Sequence, residues 1–178
     1  SDLEAVASAE PCFHYADSIR QWRALPDTQR RLQSARLAYR YHPTPANRNE
    51  LGHSYFDYAG TLSDHTDVLQ AGDQLDSLLR LQDEIINACA EGHRYTQQRY
   101  PWQTELYVNV LINQAVAHYQ ALDEPAASDA AQTSFRTMQQ LLEQALILLD
   151  ELPADSFYAR QVREQCRAYL ELMKELKN

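Results

Sequence analysis

The sequence predicts an all-α fold, and three observations lead to that prediction. Apolar residues recur at alternating spacings of three and four in several long segments, which is the period of one helix face. The 178 residues include only 4 Gly and 7 Pro. No Asn-Gly or Asp-Gly dipeptide, the strongest local signal for a β-hairpin, occurs in the chain. We therefore expect about seven antiparallel helices, arranged as a short stack of helical hairpins or as an irregular helical bundle.

The N-terminal part is predicted to hold two helices after an irregular lead-in over residues 1–13. The first covers about residues 14–24 and ends before Pro26, because proline lacks the amide that a helix interior requires. The second covers about residues 27–41, with Asp or Thr at its start as the cap.

Thr44-Pro45 predicts the start of the next helix, which extends to about Gly60. A threonine cap accepts a hydrogen bond from a free amide, and a proline at the first helical position loses no bond. A longer helix is predicted from residue 66 to residue 91. Gly92 is placed to end that helix in a left-handed cap.

The C-terminal half has the most regular pattern. After a predicted loop over residues 93–100, Pro101 opens a helix that is apolar on two faces, as expected of a central helix. Residues 127–178 predict an antiparallel hairpin that turns at residues 153–155, and the chain 1–178 is expected to be a single all-helical domain. The two apolar seams of the hairpin are Phe135, Met138, Leu142, Ala145, Leu149 and Leu152, and then Ala159, Val162, Cys166, Tyr169, Met173 and Leu176.

The charge is acidic and its positive part is almost entirely arginine. The formal net charge is −9, which disfavours nucleic acid or an anionic membrane as the main partner. Of the 16 basic residues only Lys174 and Lys177 are lysines. The arginines near the N-terminus predict either an anion-binding surface or a solvated helix face that pairs with acidic neighbours. They are Arg20, Arg23, Arg30, Arg31, Arg36 and Arg40.

The three cysteines form no C-x-x-C pair and no disulfide framework. Cys89 and Cys166 fall on apolar helix stripes, where a free thiol packs as a small hydrophobe. No apolar run approaches the roughly 18 residues that predict a membrane span. The chain begins at Ser1 without an initiator Met, so we expect a processed or trimmed product that a signal or lipid anchor could have preceded. The sequence predicts neither a compartment nor an oligomeric state.

One stretch, Leu51-Gly52-x-x-Tyr55, resembles the first helix of a tetratricopeptide repeat. Ala38 followed five residues later by Pro43 is similar to the close of a preceding repeat in that family. The resemblance covers about a third of the chain and lacks the family's tryptophan. It implies a stack of helical hairpins that binds a peptide or protein in a concave groove, with an irregular bundle as the alternative.

A catalytic interpretation of the same stretch is weaker. Glu50 and His53 are three apart, the spacing of one half of a carboxylate di-metal site, and Asp57 follows on the same face. No second Glu-x-x-His occurs, and two ligands do not make a site. Signatures of nucleophilic catalysis and glycine-rich phosphate loops are also missing. We therefore predict no catalytic residue, no metal site and no cofactor.

The residues proposed for partner binding come mainly from one aromatic and arginine-rich segment, residues 93–107. Aromatics and arginines in a partly exposed loop are typical of interaction hot spots, although a loop also uses them to pack on helices. We expect a non-catalytic scaffold that binds a protein or peptide and no nucleic acid. The alternative is a helical domain that binds a small ligand between its helices. The candidate residues are Tyr55, Arg94, Tyr95, Arg99, Tyr100, Trp102 and Tyr107.

Overall fold

Six α-helices and no strand make up the part of the chain that the computed structural model describes, which is residues 13–66, 75–122 and 128–177. Side chains of the first helix are described from residue 24 onwards. The all-α prediction is confirmed, with six described helices where about seven were expected. The helices are α1 (Phe13–Tyr41), α2 (Pro45–Ser63), α3 (Leu75–Tyr95), α4 (Pro101–Gln120), α5 (Asp129–Leu149) and α6 (Phe157–Lys177).

The predicted break at Pro26 is wrong, because one helix runs from Phe13 to Tyr41 with Pro26 inside it. A proline removes one helical hydrogen bond and crowds the preceding turn, but the residues on either side keep theirs. On its C-terminal side the helix packs Leu32 and Ala35 into a buried cluster with Leu51 of α2. One helix thus replaces the two that are predicted for residues 14–41, which accounts for the smaller number of helices.

Several helix starts are confirmed by their capping contacts. Thr44 caps α2, and its hydroxyl oxygen accepts from the Asn47 amide at 3.1 Å. Pro101 is the first residue of α4. Ser128 caps α5 and accepts from the Ala131 amide at 3.1 Å. Residue 66, where the next helix is expected to start, is helical, but the continuation over residues 67–74 lies outside the described residues. The turn near Pro125 and the lead-in up to residue 12 also lie outside them.

The predicted role of Gly92 is also wrong. The helix does not end there: α3 continues to Tyr95, and Gly92 is a buried residue within it. Its carbonyl accepts from the Thr96 amide at 3.0 Å, as in a continuing helix. The glycine is needed for a different reason, which is the close approach of α2.

Contacts divide the chain into two compact units, residues 1–98 and 99–178. In the first unit α2 packs against both α1 and α3. In the second unit α5 packs against both α4 and α6. Among the described residues, Cys89 on α3 and Cys166 on α6 are buried free thiols, one in each unit. Whether the two units fold as one cooperative domain stays a prediction.

The second unit buries most of the seam that the spacing selects, including Leu152. Two predicted seam residues near the end of α6 differ: Tyr169 is partly buried and Leu176 is exposed, because the last turns of α6 have fewer neighbours to cover them. The residues that pack from α5 are Phe135, Met138, Leu142, Ala145 and Leu149, and those from α6 are Ala159, Val162, Cys166 and Met173. The turn is closed by the Ser156 amide, which donates to the Pro153 carbonyl at 2.9 Å. The Tyr158 hydroxyl on α6 donates a hydrogen bond to the Asn109 side chain on α4. This bond links the last helix of the second unit to its first.

Candidate partner-binding groove

An open groove of about 470 Å³ lies in the first unit, and three helices supply its lining. The α1 wall uses residues spaced i, i+3, i+4 and i+7, and so does the α3 wall, so each helix presents one face. Two tyrosines of α2 lie between the walls. The lining residues are Gln29, Leu32, Gln33 and Arg36 of α1, Tyr55 and Tyr58 of α2, and Glu84, Asn87, Ala88 and Glu91 of α3.

Two glycines set how closely α2 and α3 approach beside this groove. A Cβ added at Gly52 would lie 2.5 Å from the Thr96 Cγ2, 2.8 Å from the Thr96 nitrogen and 3.0 Å from the Gly92 carbonyl oxygen. A Cβ added at Gly92 would lie 2.7 Å from the Phe56 ring and 3.0 Å from the Gly52 carbonyl oxygen. The two helix backbones therefore touch at this crossing, and only glycine fits on both sides.

Tyr55 is the centre of a stacked cluster at the groove. The Arg36 guanidinium lies over its ring, 5.2 Å from the centroid, and the Arg36 Nε donates to its phenol oxygen at 3.1 Å. On the α3 side the Tyr95 ring lies parallel to the Tyr55 ring at a centroid distance of 6.1 Å. Arg94 in turn lies 4.5 Å from the Tyr95 ring centroid and donates to its phenol at 2.7 Å. Three predicted residues, Tyr55, Arg94 and Tyr95, are thus brought together.

Tyr58, one helical turn after Tyr55, holds a carboxylate of the opposite wall. Its hydroxyl donates to a Glu84 carboxylate oxygen. Burial, with the neighbouring Glu84, raises the pKa of Tyr58 to about 12, so the phenol keeps its proton near neutral pH and remains a donor. The Tyr55 phenol therefore accepts a hydrogen bond from the Arg36 cation, and the Tyr58 phenol donates one to the Glu84 anion. The two bonds hold these charged side chains in the groove.

The other four predicted residues belong to the second unit. The Arg99 Nε pairs with Glu151 at 2.9 Å, and its side chain is only 17% exposed, so it ties the start of the unit to the α5–α6 turn. Tyr100 and Trp102 are exposed at the start of α4. Tyr107 is buried, and its phenol oxygen accepts from the Gln144 amide at 2.8 Å. Arg99 and Tyr107 thus make contacts inside the unit, while Tyr100 and Trp102 keep accessible rings.

The side chains considered for a metal lie on α2 away from the groove lining. Glu50 is exposed, and His53 and Asp57 are partly buried. Burial raises the pKa of Asp57, and this outweighs the opposing effect of Arg31. Within residues 13–66, 75–122 and 128–177 no group of three or more His, Cys, Asp or Glu side chains is arranged to hold a metal ion. The absence of a metal site in the whole chain stays a prediction.

Comparison with known proteins adds no relative. No protein-family model, no curated protein and no solved structure matches this chain. Among the described helices, none combines the length and the apolar character needed to cross a membrane. The groove is therefore the feature from which the function is inferred.

Several groove residues were not singled out from the sequence. No sequence motif includes Tyr58, Glu84, Asn87 or the two glutamines of α1. Arg36 is predicted only as one of the N-terminal arginines and is not among the residues proposed for partner binding. The spacing of these residues along their helices is a signal that could identify them. Polar residues at i, i+3 and i+7 on α3 lie at the edge of the apolar face of this amphipathic helix. Tyr55-x-x-Tyr58 places two phenols on one face of α2.

Proposed function

We propose that this protein is a non-catalytic helical interaction scaffold, and that its first unit binds a short extended segment of a protein or peptide partner. The observation that carries the proposal is the open groove between α1 and α3. Its lining combines apolar side chains and tyrosine rings with side-chain amides and charged groups. Tyrosine gives large contact area at little conformational cost, which is why it is enriched where proteins bind peptides.

The size of the groove supports a peptide segment. The lining of α1 spans residues 29–36 and that of α3 spans residues 84–91, about 10 Å of helix in each case. An extended chain rises about 3.3 Å per residue, so the groove accommodates roughly three residues. Gln33 and Asn87 each offer an amide donor and a carbonyl acceptor, which match the backbone of such a segment.

The alternative, a small ligand held between helices, has less support. Two depressions lie within the described second unit, and their volumes are about 190 and 100 Å³. Pockets for small molecules typically enclose about 300–1,000 Å³. The groove in the first unit has a volume in that range, about 470 Å³, but it is open to solvent, which favours a chain segment over an enclosed ligand.

The tetratricopeptide resemblance is compatible with this proposal and gives it limited support. Gly52 permits the close helix crossing that the resemblance implies for that position. Glu50 and His53, which the resemblance would place near the binding surface, do not line the groove. The proposal therefore depends on the groove itself and does not need the repeat assignment.

A groove-filling variant tests the function. We expect the full chain to select peptides from a displayed random heptapeptide library, and we expect Asn87→Trp to lose that binding by tenfold or more, because the indole would occupy the space of the peptide. Ser77→Trp is the matched control, since Ser77 is also an exposed residue of α3 but does not line the groove.

Both variants are first compared with wild type by thermal unfolding, so that a folding defect is not mistaken for lost binding. Binding that survives in Asn87→Trp, or a library that yields no peptide preferring wild type over Asn87→Trp, would contradict the proposed function.

A further inference from the structure

Three charged side chains line the groove: Arg36, Glu84 and Glu91. Glu91 pairs with Arg94 at 2.6 Å, whereas Arg36 and Glu84 have no charged partner among the described residues. Arg36 of α1 forms no ion pair with any described carboxylate, and its hydrogen bond goes to the neutral Tyr55 phenol. Glu84 of α3 forms no ion pair with any described cation, and it accepts from the neutral Tyr58 phenol. The two groups do not pair with each other across the groove. The groove thus has one cationic wall and one anionic wall.

These two charges differ from ordinary surface charges in being held in place. An exposed long side chain normally samples many rotamers, and ordering it opposes binding. Here the Tyr55 phenol oxygen fixes the Arg36 Nε at 3.1 Å, and the Tyr55 ring supports the guanidinium plane. The Tyr58 hydroxyl fixes Glu84 in the same way. Arg36 and Glu84 have therefore already lost part of their side-chain entropy in the folded protein, and binding a charged ligand costs less entropy as a result.

Donors and acceptors remain available at both positions. Since Tyr55 accepts from Arg36, its own hydroxyl proton is left for another acceptor, and the guanidinium keeps further N–H donors. Glu84 uses one contact with Tyr58, and a carboxylate accepts several hydrogen bonds. Arg36 and the Tyr55 hydroxyl can thus bind an anionic group at the α1 wall, and Glu84 can bind a cationic group at the α3 wall.

We propose that the segment bound in the groove carries an acidic and a basic side chain at neighbouring positions, an inference that rests on the proposed function. Successive side chains of an extended strand point to opposite sides. An acidic residue then faces Arg36 and Tyr55 on α1 while the adjacent basic residue faces Glu84 on α3. The partner is a protein segment with an acid–base pair in a locally extended region, and the match of both charges fixes its register along the groove.

Binding through this groove alone is expected to be weak. A segment of roughly three residues buries much less than the ~800 Å² per partner of a standard interface. Pairs between accessible charges contribute about 0.2–1 kcal/mol each, up to about a fivefold change in affinity. The acid–base pair therefore provides selectivity and orientation, and contacts outside the groove are needed for a tight complex.

The test uses the full chain, the heptapeptide library and charge-reversal variants. Wild type should enrich peptides in which an acidic residue adjoins a basic one. Arg36→Glu should remove the preference for the acidic residue and retain the basic one, and Glu84→Lys should do the opposite. Arg40→Glu and Glu50→Lys are the matched controls, because they change the net charge equally at exposed positions outside the groove lining.

A thermodynamic cycle then connects each charge to its partner. For one selected peptide, replacing its acidic residue by the corresponding amide should weaken binding to wild type by about threefold to fivefold. The same replacement should have no effect on binding to Arg36→Gln. Fluorescence anisotropy of a labelled peptide measures all four affinities, and raising the salt concentration should reduce the coupling.

The outcomes separate the two proposals. Enrichment of peptides without regard to charge, or an equal loss in both arms of the cycle, would overturn the acid–base pairing while leaving the peptide-binding function in place. Selection of purely acidic or purely basic peptides would overturn it as well. If no peptide distinguishes wild type from Asn87→Trp, the binding function itself fails.

Discussion

Replacing Leu149 by alanine is expected to lower the free energy of unfolding by about 2–5 kcal/mol. Leu149 is fully buried on the seam of α5, among residues of the second unit that are also fully or almost fully buried. The substitution removes three carbons from a packed interior and leaves a cavity that the rigid helices fill only in part. Urea unfolding followed by circular dichroism at 222 nm measures the change.

The matched control is Ile147→Ala, two residues earlier on the same helix. Ile147 is 70% exposed, so its truncation removes little packing and should change stability by no more than about 0.5 kcal/mol. If Leu149→Ala and Ile147→Ala had the same small effect, the assignment of the seam to the interior of the second unit would be wrong.

Replacing Gly52 by alanine is expected to destabilise the first unit by about 3 kcal/mol, although the same change usually stabilises a helix interior by about 1 kcal/mol. The new methyl group would meet the Thr96 backbone nitrogen and the Gly92 carbonyl oxygen, at 2.8 and 3.0 Å. Because these are backbone atoms, a rotamer change cannot relieve the overlap. The helices α2 and α3 must separate, and the base of the groove moves with them.

Thermal and urea unfolding of Gly52→Ala test this expectation. Peptide binding should also weaken, because the displacement of α2 moves Tyr55 and Tyr58. Ala38→Gly calibrates the intrinsic helix preference in this chain, because Ala38 is exposed on α1 and should lose only about 1 kcal/mol or less. A Gly52→Ala protein as stable as wild type would show that the two backbones are not in contact.

The periodic segments were the predictable part of the fold. Seam residues such as Phe135, Leu142 and Leu149 occupy the buried face because a regular apolar stripe leaves a helix one favourable orientation. The errors arose where one residue was interpreted locally. Pro26 and Gly92 are each predicted to lie at a helix end, but both lie inside helices. Local preferences of about 1–3 kcal/mol are small enough for packing to override them.

The candidate site was predictable only in part. Tyr55, Arg94 and Tyr95 are predicted from their residue types, and they do contact one another. Only Tyr55 of the three lines the groove. Their neighbours Arg36 and Glu84 come from helices that are distant in sequence, so no local pattern could join them. The division between the units after residue 98 also matters, because it places Arg94 and Tyr95 in the first unit and residues 99–107 in the second.

The two buried thiols give the chain a built-in means of observing each unit by itself. Burial raises the pKa of Cys166 to about 11 and that of Cys89 further, so neither reacts as a thiolate until its surroundings open. In a Cys12→Ser background, the rate at which an alkylating reagent modifies each cysteine reports the opening of α3 or α6 separately. Equal rates under mild denaturant would mean one cooperative structure, whereas unequal rates would mean that residues 1–98 and 99–178 open independently.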